Sequence, residues 1–180
     1  MMGSAAFRFL LWLLGYGAWI IPASGANPLR HVEEDLVQRY SGVGHCEPEI
    51  LACRLRRGAS GLTTLDVRSA EEFEVSHIAG AVRVDPNISA NEFARRFAHL
   101  VEGRDVLVYC SVGLRSTAFA HRLQRTFIDT GANPVSNLRG GLFRWRNDGH
   151  PIVCGDGPTE QIHPYNVYWA RFLKQAATPR

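Results

Sequence analysis

The stretch from Val106 to Leu123 constrains the fold of this chain more than any other segment. It opens with four apolar residues, Val-Leu-Val-Tyr, and such a run predicts a strand that is buried on both faces, as in a parallel sheet. From Ala118 onward, apolar residues recur at the spacing of a helix. Cys110 and a short loop that contains Gly113 stand between the two. The sequence therefore predicts an α/β fold with a thiol at the carboxyl end of a buried strand.

The loop after Cys110 has the properties of an anion-binding site. Ligand sites of open parallel sheets form beyond the carboxyl ends of the strands. A helix that begins near Arg115 or Ser116 would direct its free backbone N–H groups and the positive end of its dipole toward the loop, and successive loop amides form a concave nest for anions. Gly113 permits the backbone angles that such a turn requires. We therefore predict that six residues bind an anionic substrate: Ser111, Val112, Gly113, Leu114, Arg115 and Ser116.

Cys110 itself has two interpretations. A free cysteine at the end of a strand is usually a small buried hydrophobe. In the field of the loop amides and of Arg115, however, a thiol would lose its proton near neutral pH, and the thiolate is the reactive form. The glycine, the arginine and the helix that follows favour this second interpretation, in which Cys110 is a catalytic nucleophile.

The pattern Cys-x-x-Gly-x-Arg-Ser after an apolar strand resembles the active-site loop of single-domain rhodaneses, which are sulfurtransferases. The resemblance covers residues 48–153, and one departure is Ser76, where the family usually has glycine before a His-Ile pair. That departure affects a turn and not the chemistry. Further segments that resemble the family's motifs are Asp66–Phe73 with His77–Ala81, Asn137–Trp145 and Gly149–Ile152.

The resemblance implies a rhodanese-like α/β fold, namely an open parallel β-sheet of about four to five strands with helices on both faces. The sequence itself indicates four strands, and a fifth is not identified. Gly140 and Gly141 follow the last of these strands. Because glycine lets another backbone approach closely, we expect their bend to lie beside the Cys110 loop and to wall the pocket.

The resemblance also implies a reaction. The Cys110 thiolate would attack the outer sulfur of a small anionic donor such as thiosulfate and become a persulfide, and a thiol or cyanide acceptor would then take the sulfur. This is covalent catalysis in two displacements, with the loop amides stabilising the charged sulfur. No cofactor is implied, and we predict no metal because the cysteine spacings differ from those of zinc sites.

Two other functions stay open as alternatives. Phosphatases of related folds use a Cys-x5-Arg loop, whereas four residues separate Cys110 from Arg115 in this chain. The shorter loop suits a sulfur atom better than a phosphoryl group. Many rhodanese-like domains are non-catalytic binding modules or sulfur carriers, and their loop often lacks the cysteine that this chain keeps.

Asp66 and Arg68 lie at the carboxyl end of a predicted strand, 62–67. Arg68 could face the mouth of the site. The alternative, which we favour, is that the two residues hold the turn through charge-assisted hydrogen bonds and support the loop from behind.

Residues 1–26 are predicted to be a cleaved secretory signal. A positive charge precedes the apolar run 9–21, Pro22 interrupts the run, and Ser24-Gly25-Ala26 offers small residues to a signal peptidase. The run is short for a membrane span, which needs about 20 residues. An uncleaved membrane anchor through residues 9–21 is the alternative. We therefore expect an exported protein, either periplasmic or secreted.

The rest of the chain divides into three parts. Residues 27–47 are predicted to be an extra helical segment, 48–153 the rhodanese-like domain, and 154–180 an extension whose aromatic-rich helix packs on that domain.

A net charge of +3 with scattered basic residues argues against a nucleic-acid partner. A protein partner stays unknown, and a partner surface is the alternative for the aromatic-rich tail, because Tyr and Trp are enriched at interfaces. Pairs are expected among the cysteines of an exported protein, but with Cys110 free the pairing of Cys46, Cys53 and Cys154 stays open.

Overall fold

The structure is a computed structural model that describes residues 27–155 and 157–174. Its helices are α1 (Arg30–Arg39), α2 (Pro48–Arg56), α3 (Ala70–Val75), α4 (Ala90–Val101), α5 (Leu114–Arg122), α6 (Gln124–Asp129), α7 (Gly141–Asn147) and α8 (Val167–Ala170). Its strands are β1 (Gly44–Cys46), β2 (Leu62–Asp66), β3 (Val82–Arg83), β4 (Asp105–Tyr109), β5 (Val135–Leu138), β6 (Ile152–Cys154) and β7 (Gly157–Thr159). The first five strands form one parallel sheet in the order β1-β5-β4-β2-β3, and β6 and β7 form a separate antiparallel pair.

Each face of the sheet carries its own apolar core. Side chains alternate along β4, so Val106 and Val108 belong to one core and Leu107 and Tyr109 to the other. The first core is completed by α4, α5 and α6, and the second by α2 and α7, through the side chains Phe93, Phe97, Phe119, Phe127, Leu51, Ala52, Leu142 and Trp145. This arrangement confirms the predicted open parallel sheet with helices on both faces.

The strand that the sequence left unidentified is β1. It pairs in parallel with β5, with His45 opposite Asn137 and Cys46 opposite Leu138. Its three residues, Gly-His-Cys, lack an apolar alternation, and they lie in the segment 27–47 for which a helix alone was expected. Backbone pairing with an exposed edge of the sheet, rather than side-chain pattern, places this strand.

The segments that flank the domain pack against it. The expected helix before the domain is α1, which buries Val32 and Leu36, whereas Val37 points outward. The aromatic-rich tail also packs on the domain, as expected, but its helix is the single turn α8 and not the longer helix of the prediction. The β6–β7 hairpin between domain and tail was not predicted.

The predicted signal or anchor, residues 1–26, lies outside the described residues. Within the part of the chain that the structure describes, every helix is too short or too polar to cross a bilayer.

Candidate active site

Cys110 lies where the sequence predicted, at the carboxyl end of the central strand β4. The loop after it leads into α5, whose N-cap is Gly113 in the left-handed conformation, with φ of 96°. The backbone N–H of Gly113 donates a hydrogen bond to Sγ of Cys110 over 3.2 Å. The sulfur therefore faces an amide and the positive end of a helix, an arrangement that stabilises negative charge.

The bend at Gly140 and Gly141 packs directly beside this loop, as expected. The backbone N–H groups of Leu142 and Phe143 donate to the carbonyl oxygens of Cys110 and Ser111, each over 2.9 Å. A Cβ on Gly141 would lie 2.4 Å from the Cys110 carbonyl oxygen, so only glycine permits the approach. The expectation that the bend walls the pocket is wrong, because the bend holds the loop from the side and does not line the cavity over Cys110.

The guanidinium of Arg115 is held by a carboxylate. Its Nη1 donates to Oε2 of Glu72 over 2.8 Å and its Nη2 to Oε1 over 2.7 Å. Nη2 also donates to Oγ of Ser111 over 3.0 Å, and that hydroxyl donates to Oε1 of Glu72 over 2.8 Å. Two of the side chains predicted to bind substrate are thus joined to Glu72 and serve to fix the loop.

Glu72 is itself fixed by the first turn of α3. Its backbone N–H donates to Oγ of Ser69 over 3.2 Å, and its Oε2 accepts from the backbone N–H of Ser69 over 3.1 Å. Burial alone would raise the pKa of Glu72, but hydrogen bonds and charge from Arg115, with a hydrogen bond from Ser111, lower that pKa from 4.5 to about 2. Although burial opposes it, the same pair raises the pKa of Arg115 above its ordinary value. The pair is therefore fully ionised at neutral pH.

Ser116, also a predicted substrate contact, is fully buried, and its hydroxyl is hydrogen-bonded within the fold. Its Oγ donates to Oδ1 of Asn137 on β5 over 2.6 Å and also approaches the Gly113 carbonyl oxygen. The Nδ2 of Asn137 in turn lies close to Gly113, 3.3 Å from the position that a Cβ would occupy there. Asn137 therefore supports the turn that carries the amide facing the sulfur.

Asp66 and Arg68 are both fully buried at the end of β2. Arg68 donates through Nε and Nη2 to the carboxylate of Asp66, over 2.9 and 2.6 Å, and through Nη2 to the carbonyl oxygen of Ser76 over 2.6 Å. Its guanidinium also lies 5.7 Å from the centre of the Tyr109 ring. Both residues therefore hold the turn behind β4, and Arg68 does not reach the mouth of the site.

A cavity of about 130 Å³ lies over Cys110. The loop lines it with Cys110, Ser111, Val112, Leu114 and Arg115, and the C-terminal segment lines it with Tyr165 and Trp169. Cys110 is only 1% exposed, and its side chain also packs in the apolar core beneath the loop. Two larger cavities, of about 250 and 290 Å³, lie elsewhere and contain no cysteine, so the chemistry of the loop and not size identifies the candidate site.

All four cysteines of the chain are free thiols. Across residues 27–155 and 157–174, no cluster of three or more His, Cys, Asp or Glu side chains is placed to hold a metal ion. What the site offers is one thiol, a helix N-terminus and a small cavity, a combination suited to nucleophilic attack on a small electrophile.

Sequence reasoning missed four residues of this site. Glu72 had a detectable signal, because Ser69-x-x-Glu72 has the spacing of a capping box. Asn137 lies inside the Asn137–Trp145 motif, but nothing in its sequence context indicates a contact with the loop. Tyr165 and Trp169 were read as packing on the outside of the domain, and nothing in a single sequence indicates which loop a distant tail will cover.

Comparison with known proteins identifies the family. The family model of the rhodanese-like domain matches residues 48–148. This chain therefore belongs to the rhodanese-like domain family, and the match supports a sulfurtransferase-type enzyme.

Three similar proteins illustrate the range of the family. A sulfurtransferase of Allochromatium vinosum is 30% identical over 116 residues, which cover 64% of this chain and 99% of that protein. An HTH-type transcriptional regulator of Mycobacterium tuberculosis is 33% identical, and a tRNA uridine(34) hydroxylase of Bacillus pumilus is 36% identical. The matches cover 69% and 51% of this chain but only 53% and 27% of those two proteins.

Solved structures agree on the fold. A thiosulfate sulfurtransferase from Pseudomonas aeruginosa superposes with a TM-score of 0.53 at 21% identity, over 81% of this chain and 26% of that chain. A Rhodopseudomonas palustris protein described as a possible tyrosine phosphatase superposes with a TM-score of 0.53 at 22% identity, over 74% of this chain and 99% of that chain. At these identities the likeness concerns the fold alone.

Proposed function

We propose that this protein is a sulfurtransferase that moves sulfane sulfur from a small anionic donor to a thiol or cyanide acceptor through a persulfide on Cys110. One observation carries the proposal: the Gly113 amide at the start of α5 donates to the Cys110 sulfur over 3.2 Å. A persulfide on Cys110 would extend from that sulfur into the cavity, where its negative charge gains from the same helix terminus.

The reaction has two displacements. In the first, the Cys110 thiolate attacks the outer sulfur of thiosulfate, a sulfur–sulfur bond forms, the donor's own sulfur–sulfur bond breaks, and sulfite leaves with the bonding electron pair. In the second, cyanide or a thiolate attacks the outer sulfur of the persulfide, and the Cys110 thiolate leaves. The enzyme is regenerated without a cofactor, and no net charge is gained or lost in either step.

The fixed loop supports this chemistry by holding the sulfur in place. Arg115 and Ser111 are joined to Glu72, and Ser116 is joined to Asn137, so the loop is held on both sides. Because the backbone N–H groups of the loop are already oriented, little reorganisation is needed when the negative charge moves to the outer sulfur of the persulfide.

The proposal is tested by thiocyanate formation from thiosulfate and cyanide, together with intact-mass measurement after thiosulfate alone. We expect turnover, and a mass gain of one sulfur atom located on the peptide that contains Cys110. Cys110→Ser should abolish both, while Cys154→Ser serves as the matched control and should retain both. A sulfur-free protein and no turnover would favour the non-catalytic binding module, and hydrolysis of an aryl phosphate instead would favour a phosphatase.

We also propose export. This rests on residues 1–26 alone, and N-terminal sequencing of the protein from a periplasmic or culture fraction should begin at Asn27. A protein that keeps Met1 in the membrane fraction would instead favour the anchor at residues 9–21.

A further inference from the structure

The C-terminal segment 162–173, here called the strap, lies across the Cys110 loop. It packs on an apolar cluster formed by Leu29, Val112 and Phe143. The side chains that pack there with the loop residue Leu114 are Ile162, Trp169, Phe172 and Leu173. The strap therefore covers the loop that carries the thiol rather than a remote face of the domain.

The far end of the strap is clamped by Asn147, the last residue of α7. Nδ2 of Asn147 donates to the Phe172 carbonyl oxygen over 2.7 Å, and Oδ1 accepts from the backbone N–H of Lys174 over 2.8 Å. The Lys174 ammonium also donates to the Asn147 carbonyl oxygen over 3.1 Å. These contacts hold one end of the strap in place.

The near end is held differently, through Tyr165. The Arg115 guanidinium lies 4.7 Å from the centre of the Tyr165 ring and makes a cation–π contact with it. The same guanidinium is also paired with the Glu72 carboxylate. Tyr165 is 47% exposed and has a φ of 64°, a left-handed conformation that non-glycine residues adopt at a cost. Apart from the packing of Ile162, this end is therefore held by a half-exposed ring contact on a strained backbone, whereas three hydrogen bonds to Asn147 hold the far end.

The space that the closed strap leaves over Cys110 is small. Its volume is about 130 Å³, and a cavity of about 150 Å³ is known to hold a benzene molecule. Tyr165 and Trp169 form the wall opposite the loop. A compact anion fits within this volume, whereas a substituent of several fused rings is larger than the cavity.

We propose that Tyr165 and Trp169 are specificity-determining residues that act as a size filter, admitting compact reactants to Cys110 and excluding bulky ones. For sulfur donors the proposal rests on the proposed function, but access to the thiol does not. If the open form is a minor state of about 0.1–10%, the reactivity of bulky reagents falls by roughly tenfold or more.

The test compares two maleimides of different size, N-methylmaleimide and N-pyrenylmaleimide, under native conditions. Labelling of Cys110 is followed by peptide mass spectrometry, and each rate is divided by the rate with free glutathione. The ratio of interest is the normalised rate with N-methylmaleimide divided by the normalised rate with N-pyrenylmaleimide. We expect this ratio to be roughly ten or more in the unchanged protein and to fall toward one in Tyr165→Ala and Trp169→Ala. Tyr165→Phe, which keeps the ring, and Val167→Ala, on the exposed side of α8, should keep the high ratio. A ratio near one in the unchanged protein, or a high ratio in both alanine variants, would overturn the filter.

A second measurement separates the filter from the proposed function. Sulfur transfer is compared between thiosulfate and the bulkier benzenethiosulfonate. In Tyr165→Ala, the kcat/KM with benzenethiosulfonate, divided by the kcat/KM with thiosulfate, should rise. The rise should be roughly the factor by which the labelling ratio falls in the same variant. If no variant transfers sulfur from either donor, the proposed sulfurtransferase activity is contradicted. The labelling ratio alone then decides whether Tyr165 and Trp169 act as a size filter. Active transfer with an unchanged donor preference would contradict the filter alone.

Discussion

Arg115 and Glu72 are joined through two parallel hydrogen bonds, of 2.8 and 2.7 Å, between the end of the Cys110 loop and the first turn of α3. The carboxylate is buried, and the guanidinium is mostly so. Two-point pairs of this kind fix both distance and orientation. The pair therefore joins two segments that are distant in sequence and sets where the loop stands relative to the sheet.

Replacing Glu72 by glutamine should slow sulfur transfer while Cys110 stays intact. Glutamine keeps the shape but loses the charge and one of the two acceptors, so Arg115 and Ser111 no longer hold the loop in one position. A displacement near the reacting atoms of about 1 Å costs on the order of 100-fold in rate. Steady-state kinetics with thiosulfate and cyanide measure the loss.

Glu71→Gln is the matched control for that variant. The same charge is removed one position earlier in α3, at an exposed side chain outside the loop contacts. Its activity should stay within about twofold of the unchanged protein, as is usual for surface substitutions. Equal losses in the two variants would show that net charge, and not the pair with Arg115, matters.

The same pair makes stability depend on pH. The pKa of Glu72 is lowered from 4.5 to about 2, so the folded state stays ionised where the unfolded chain takes up a proton. Its contribution is complete above pH 4.5 and is lost as the pH falls through that window toward 2, at about 1.4 kcal/mol for each pH unit. Urea unfolding should show a constant difference in stability between the unchanged protein and Glu72→Gln above about pH 5, and a difference that shrinks by up to about 1.4 kcal/mol for each pH unit below pH 4.5. Parallel profiles would contradict the assignment.

Much of the fold could be read from the chain because its central part has strong local signals. The apolar run of β4 and the helical spacing after Cys110 both follow from side-chain pattern. The strand β1 could not be read in this way, because a three-residue edge strand is specified by its pairing with β5. The helix of the tail was predicted, but its length of a single turn was not.

The site was predicted in outline and not in its contacts. The position of Cys110 and the turn at Gly113 follow from local sequence. The role of Arg115 does not, because its partner Glu72 stands 43 positions away, and a long side chain directs its charge according to what surrounds it. The cover formed by Tyr165 and Trp169 depends on how the tail returns across the domain, which is a tertiary property.

Asn137 is expected to matter for activity beyond its effect on stability. Asn137→Ala removes the shorter of the two contacts of the Ser116 hydroxyl, which then keeps only the contact of 3.2 Å to the Gly113 carbonyl oxygen, and the loss of such a buried hydrogen bond costs about 0.5–1.5 kcal/mol. We expect that loss in urea unfolding, together with slower persulfide formation at saturating thiosulfate. Asn133→Ala, which removes one exposed hydrogen bond to the Gly103 carbonyl oxygen, is the control and should affect neither the chemistry nor the loop. Normal persulfide formation in a folded Asn137→Ala would refute this role.

Gly141 tests whether close packing of two backbones holds the catalytic loop. Gly141 and Gly149 both have positive φ, of 58° and 83°, so alanine meets a comparable backbone cost at each. At Gly141 the new Cβ would also lie 2.4 Å from the Cys110 carbonyl oxygen, whereas at Gly149 it meets nothing within 4 Å. Gly149→Ala should therefore cost about 1 kcal/mol, and Gly141→Ala at least about 2 kcal/mol more, because the bend must move away from the loop. Calorimetry measures the loss in the free energy of unfolding for each variant. Equal losses at the two positions would mean that the bend can move without disturbing Cys110.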